Sequence, residues 1–242
     1  MVRRVLLPVL AALVAAGAGA AAGGAEPAAP AGAPKVKQFV VFRDGTALQK
    51  QVGSGRTRVR VRGRRCAVGA GTALAALARS HAGRLRFKDF GACSSRPGDA
   101  AGLLVTGIGP DRNRGQRGWV YKVGNRAATA GAGDTGGPFG RGRLRRGQRV
   151  TWFYCVRAGD CQRTLAMRIR PEAGAIAVTV RGYDDVGNAV PVEGASVSTS
   201  GGVTGHSGTD GSVRLALPPG THRVVARKDG LVRSFTERVE VP

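Results

Sequence analysis

Aromatic side chains are scarce in this chain of 242 residues, which holds 7 Phe, 3 Tyr and 2 Trp, 5% of the whole. A core so poor in large rings needs other support. Histidine is scarcer still, with 3 copies, and cysteine occurs four times, at Cys66, Cys93, Cys155 and Cys161. Neither a C-x-x-C spacing nor a paired-histidine motif is present, which excludes the common zinc patterns. His206 and His222 have no Cys, Asp or Glu at ligand spacing and are read as surface or strand residues. After the N-terminal segment no second long apolar run occurs, and no cysteine follows the first one to take a lipid. The glycine-rich stretch from Gly131 to Gly137 lacks the lysine and the following helix of a P-loop.

What the chain has in excess is positive charge. Lys and Arg total 38 against 15 Asp and Glu, a net of +23, and 32 of the 38 are arginine. The excess is local: residues 26 to 170 carry 29 basic and 7 acidic side chains, whereas residues 171 to 242 carry 7 and 8. Such a field favours anionic partners: wall polymers, acidic lipid headgroups, nucleic acid or acidic glycans; of these a cell-wall polymer or glycan is the partner expected and nucleic acid is not. Arginine, alanine and glycine enrichment together also fits GC-rich coding, which leaves solvation as the plain alternative.

The first residues have the anatomy of a secretory signal peptide over 1–22. Arg3 and Arg4 precede an apolar run from Val5 to Ala22, with small-residue cleavage sites at Ala18-Gly19-Ala20 and Ala20-Ala21-Ala22. Membrane attachment is expected only if that run, close to the ~18 residues of a minimal span, is retained. Residues 23–35 read as an Ala/Pro/Gly linker. Four cysteines in an exported chain imply two disulfides. Of three connectivities we favour Cys66 with Cys93 and Cys155 with Cys161, because the second pair flanks a hairpin turn. Loop entropy assigns them roughly 3.6 and roughly 2.4 kcal/mol.

Alternation supplies the strands. Lys35 to Arg43 places Val36, Val40 and Phe42 on one face. Thr57 to Arg62 sets Val59 and Val61 against Arg58, Arg60 and Arg62, so three guanidinium groups share an exposed face. Thr72 caps a short helix bearing Leu74, Leu77 and Ala78, which ends by Gly83. Gly102 to Ile108 forms a strand, and the polar loop Gly109 to Gly118 follows. Trp119, Tyr121 and Val123 then share a face, as do Val150, Trp152, Tyr154 and Val156, with Phe153 pointing the other way. A last strand of this part turns Leu165, Met167 and Ile169 inward. The fold class is mainly β in two domains: a small α+β, β-grasp-like domain with one helix over 36–170, a short linker at 171–175, and an all-β antiparallel sandwich over 176–242. In the sandwich, strands at Ile176 to Val180, Ala195 to Thr199, Val213 to Leu217, His222 to Ala226 and Phe235 to Val241 alternate with turn signals such as Asp210-Gly211. Asp184-Asp185 is read as a solvated turn in preference to a calcium site.

Gly133-Asp134-Thr135-Gly136-Gly137-Pro138 lies one residue from the G-D-S-G-G-P around a trypsin-like nucleophile. Thr135 stands in place of the serine, His81 has none of that family's surrounding sequence, and the stretch before Thr135 is too short for most of two barrels. The loop is read as a turn.

The succession Gly118-Trp119-x-Tyr121-x-Val123, Gly131-Ala132-Gly133-Asp134, and Leu144-x-x-Gly147-x-x-Val150-x-Trp152-x-Tyr154 resembles a secreted bacterial domain of unknown function related to the C-terminal β domain of transcobalamin. Here Val123-Gly124-Asn125 replaces that family's V-N-G, Gly147-Gln148 replaces its G-D, and Thr135 to Arg143 lengthens a loop. The resemblance implies a binding module. In transcobalamin the related domain closes on cobalamin together with a helical barrel that this chain does not contain. Pro191-Val192-Glu193-Gly194-Ala195-Ser196-Val197, Thr209-Asp210-Gly211 and Leu217-Pro218-Pro219-Gly220 resemble the carboxypeptidase regulatory-like, prealbumin-like family, which implies a fold and no ligand.

The expected function is a secreted or envelope-associated, non-catalytic binding or scaffold protein whose basic domain takes an anionic or glycan ligand. Candidate ligand residues are Arg58, Arg60, Arg62, Trp119, Tyr121, Trp152, Phe153 and Tyr154, although alternating aromatics on strands are ordinarily core. No catalytic residue, metal or cofactor is expected. The alternatives are a cobalamin-like small-molecule carrier with an aromatic pocket, and a hydrolase of unrecognised type.

Overall fold

A computed structural model describes residues 33–242 apart from Ala92 and Ala158. The expected signal peptide and nearly all of the linker fall outside the described residues. The first lobe opens with two hairpins, β1 (Lys35–Val41) with β2 (Ala47–Gly53) and β3 (Thr57–Val61) with β4 (Arg64–Val68). Next come α1 (Ala73–Ser80), β5 (Leu85–Asp89), β6 (Leu103–Ile108), β7 (Asp111–Arg112), β8 (Gly118–Val123), β9 (Arg126–Ala127) and β10 (Arg149–Cys155). β10 runs parallel to β1 and antiparallel to β8, giving the sheet order β2-β1-β10-β8-β9. A hairpin, a helix-bearing crossover and a central parallel pair make the β-grasp arrangement.

Local chemistry accounts for the helix. The Thr72 hydroxyl accepts the Ala75 amide at 3.1 Å as an N-cap, Leu74 and Leu77 are buried, and His81 takes a left-handed φ of 54° that ends the helix. The β3–β4 hairpin closes through Arg62 and Gly63, both at positive φ, 46° and 83°, as a two-residue primed turn requires. Arg62 therefore sits in the turn and not on the strand face with Arg58 and Arg60. Val156, expected beside Trp152 and Tyr154, lies beyond the end of β10 and is exposed. Both disulfides have the expected connectivity, Cys66–Cys93 and Cys155–Cys161.

The second lobe comprises β11 (Thr164–Glu172), β12 (Ala175–Tyr183), β13 (Ala189–Pro191), β14 (Ser196–Thr199), β15 (Thr204–His206), β16 (Ser212–Ala216), β17 (Gly220–Arg227) and β18 (Glu237–Val241). One sheet has β12 between β11 on one side and β13 and β16 on the other; its partner runs β15-β14-β17-β18. Ile176, Val178, Val180, Val197, Leu215, Val224 and Ala226 fill the space between. The strand bearing Leu165, Met167 and Ile169 belongs to this lobe: β11 pairs with β12 from Thr164↔Tyr183 to Glu172↔Ala175. The expected linker at 171–175 is thus the end of a hairpin, because Gly174 at φ 66° turns the chain back on itself.

The β-grasp sheet is buried on both faces. Val36, Val40, Val150, Trp152 and Tyr154 face the helix side, while Phe39, Val41, Phe153 and Cys155 pack with Val232 and Phe235 from the segment between β17 and β18. Phe39 and Phe235 have centroids 4.6 Å apart, and the Arg149 guanidinium lies 4.9 Å from the Phe235 ring while pairing with Glu237 at 2.6 Å. Gln49 exchanges two hydrogen bonds with the Thr236 main chain, at 2.8 and 2.9 Å. Lys122, fully buried on β8, donates to the carbonyls of Tyr183 at 3.1 Å and Asp184 at 2.9 Å and pairs with Asp185 at 3.1 Å. Burial draws the Lys122 ammonium below its usual range and the Asp185 carboxylate opposes that shift.

Phe235→Ala is expected to cost about 3 kcal/mol in chemical denaturation, since it empties the centre of this joint. Gln38 is fully buried on the helix side, and neither amide atom has a partner among the described residues. Gln38→Met should therefore stabilise the fold by about 1 kcal/mol in the same assay, by removing a desolvated amide without opening a cavity.

Candidate functional site

Two concave features of the first lobe hold six of the eight candidate residues between them. The larger is a groove of about 550 Å³ lined by Arg58, Arg60 and Arg62 on one side, by Arg84 and Arg86 on the other, and floored by Val59, Val61, Ala78, Leu85 and Phe87. Its walls are strand margins, since among the described residues β3 pairs only with β4 and β5 only with β6. On β3 the pleat sends Val59 and Val61 inward and leaves Arg58 and Arg60 exposed. Arg60 also stands directly opposite Arg65 across the hairpin, a like-charge pair that works against the sheet.

Among the described residues none of the five groove arginines has a carboxylate at ion-pair distance. The lobe's acidic groups are engaged elsewhere. Asp44 accepts from Thr46, Asp89 from the Gly91 and Cys93 amides, Asp99 from Ser94, Asp111 from the Arg43 amide and Asp134 from the Gly136 amide, while Asp160 pairs with Arg157. Arg86 donates to the Gly109 carbonyl at 2.8 Å. Burial first, then the neighbouring charges of Arg112 and Arg84, lower its hold on the proton. Arg84 and Arg86 went unrecognised in the sequence, though Arg84-Leu85-Arg86-Phe87 repeats the alternation of Arg58-Val59-Arg60-Val61.

The smaller feature is an apolar pocket of about 280 Å³ against Trp119, Tyr121 and Trp152, with Leu103, Val105 and the Gly131-Ala132 loop. Phe90, 63% exposed, and Leu104, 45% exposed, form its rim. Tyr121 stacks on Trp152 with centroids 5.0 Å apart, and Trp119 meets Tyr154 edge-on at 6.1 Å. Most polar tips of these rings hold loops in place. The Trp119 indole donates to the Asp111 carbonyl, Tyr154 to Arg112 and Tyr121 to Ala130. The Trp152 indole N–H is buried without an acceptor among the described residues. Groove and pocket share no lining residue, and Tyr154 and Phe153 line neither. Phe153 lies in the joint with the second lobe, because its position on β10 is opposite in phase to Trp152 and Tyr154.

The Gly131–Pro138 loop has a packing role. A Cβ at Gly131 or Gly133 would stand 2.6 or 2.3 Å from the carbonyl oxygens of Ala101 and Ala100, so only glycine lets the loop lie on the 3-10 turn Pro97–Gly102. Thr135 contributes its carbonyl to Arg143, and no histidine hydrogen-bonds to it among the described residues. Asp184 and Asp185 are drawn into the joint: the first accepts the Val186 and Asn188 amides, and the second pairs with Lys122.

Burial and then the nearby Asp134 charge push the Tyr121 phenol above its ordinary 10.0. The folded state keeps this proton where the unfolded chain releases it. The associated stability is therefore full below about pH 10 and is lost as pH rises toward the folded value. Melting temperature should fall above pH 10, and Tyr121→Phe should reduce that fall relative to the unmodified chain.

No family model matches this chain, and neither a curated protein nor a solved structure matches it significantly.

Proposed function

We propose that this is an exported, non-catalytic binding protein of the cell envelope, in which the arginine groove of the first lobe holds an anionic polymer. The observation that carries this is the set of five guanidinium groups in one groove, unpaired, in a lobe whose described carboxylates are all engaged elsewhere. Five like charges placed together without compensation destabilise a fold; an anionic ligand supplies the missing counter-charge. Two disulfides accord with an oxidising compartment. Among the described residues no helix is long and apolar enough to cross a membrane.

A second role, for a small flat ligand in the aromatic pocket, is favoured by the unpartnered Trp152 indole N–H. Salt separates the two, because counter-ion release weakens polymer binding as salt rises while a dry pocket is little affected.

In co-sedimentation with purified cell walls, the full chain should pellet at low salt and be released as salt rises. The quadruple variant Arg58→Gln/Arg60→Gln/Arg84→Gln/Arg86→Gln should stay in solution at salt where the parent pellets. Equal pelleting of variant and parent would remove the groove from the binding function.

A further inference from the structure

We propose that the groove is in register with a polymer carrying one phosphodiester for every six backbone bonds, of the poly(glycerol phosphate) type. This rests on the assignment of the groove as an anion site and specifies which anion it takes.

The register comes from the strand itself. Arg58 and Arg60 are two residues apart on β3, and Arg84, the residue before β5, is two from Arg86 within it. Two residues of extended chain are six main-chain bonds and span about 6.6–6.8 Å. A glycerol phosphate repeat, P–O–C–C–C–O, also has six bonds of similar length and when extended spans about 7 Å. Successive phosphates thus meet Arg58 and Arg60 along β3 without either chain having to bend, and Arg84 and Arg86 face them across the groove. Arg58, Arg60 and Arg84 present the planar donor fork that suits a phosphodiester's two free oxygens, and Arg86 offers the donors that its bond to the Gly109 carbonyl leaves over.

The floor discriminates further. Between the arginines lie the half-buried Leu85 and Phe87, apolar surface suited to a short carbon bridge. Inorganic polyphosphate places a charge every two bonds and leaves most of them out of register. Uronic-acid polymers space carboxylates by whole sugar rings. Single-stranded nucleic acid keeps the six-bond repeat but brings a base with each phosphate, and bases need exposed aromatic platforms. Phe87 is the one aromatic lining the groove, and it is packed against the core of the lobe.

The test is calorimetric titration of the full chain with poly(glycerol phosphate), inorganic polyphosphate, polygalacturonate and oligo-dT at matched charge concentration. Poly(glycerol phosphate) should bind at least tenfold tighter than the other three. Arg60→Gln/Arg86→Gln should lose at least tenfold of that affinity and flatten its salt dependence, while Arg146→Gln, exposed and outside the groove, should leave both unchanged. Thermal melting confirms that each variant is folded. Equal binding of all four polyanions, weakened by the double variant, would overturn the register and leave the anion groove standing. Tighter binding of oligo-dT would overturn it in favour of a nucleic acid, and no binding of any polyanion would overturn both.

Discussion

The central sheet depends on being covered twice. A β-grasp sheet shields one face with its helix, and in this chain the other face carries Phe39, Val41 and Phe153, which water would penalise heavily if exposed. The second lobe removes that penalty through Val232 and Phe235 and adds specificity at the edges, where Arg149 meets Glu237 and Lys122 meets Asp185. Lys122 matters most for alignment. A buried ammonium with three anchors, two carbonyls and one carboxylate, tolerates little sliding between lobes, because displacement would leave a charge without partners.

This joint also explains how charge is distributed. The carboxylates Asp185 and Glu237 of the nearly neutral second lobe neutralise cations on the sheet of the first. The first lobe's own carboxylates serve its turns and loops. The arginines on β3 and around β5 lie outside both arrangements, on margins that no described strand covers. Coding bias accounts for many arginines but not for their convergence on a single groove.

Much of the fold was legible because its signals are local. Thr72 with Leu74 and Leu77 marked the helix, the Gly-rich turns marked the hairpins, and alternation marked most sandwich strands. The joint was harder to see. Phe39-Val40-Val41 and Trp152-Phe153-Tyr154-Cys155 break alternation with continuous apolar runs, the pattern of strands buried on both faces, yet what covers the second face is set by contacts more than 80 residues apart. β11 was misassigned for the same reason: its sequence fits either lobe, and only pairing with β12 decides. At the groove, Arg58 and Arg60 were readable from β3 alone, whereas Arg84 and Arg86 acquire meaning only when β5 is brought alongside.

The Cys66–Cys93 bridge has a consequence for the shape of the groove. Cys66 lies on β4, which carries β3, and Cys93 follows β5, so this one bond ties the two walls together, with Arg64 donating to the Cys93 carbonyl beside it. The bridge holds the two walls at a set spacing against the mutual repulsion of their arginines. The spacing of the groove is thereby fixed by a covalent bond and not by packing alone, and it is the same whether or not anything lies between the walls.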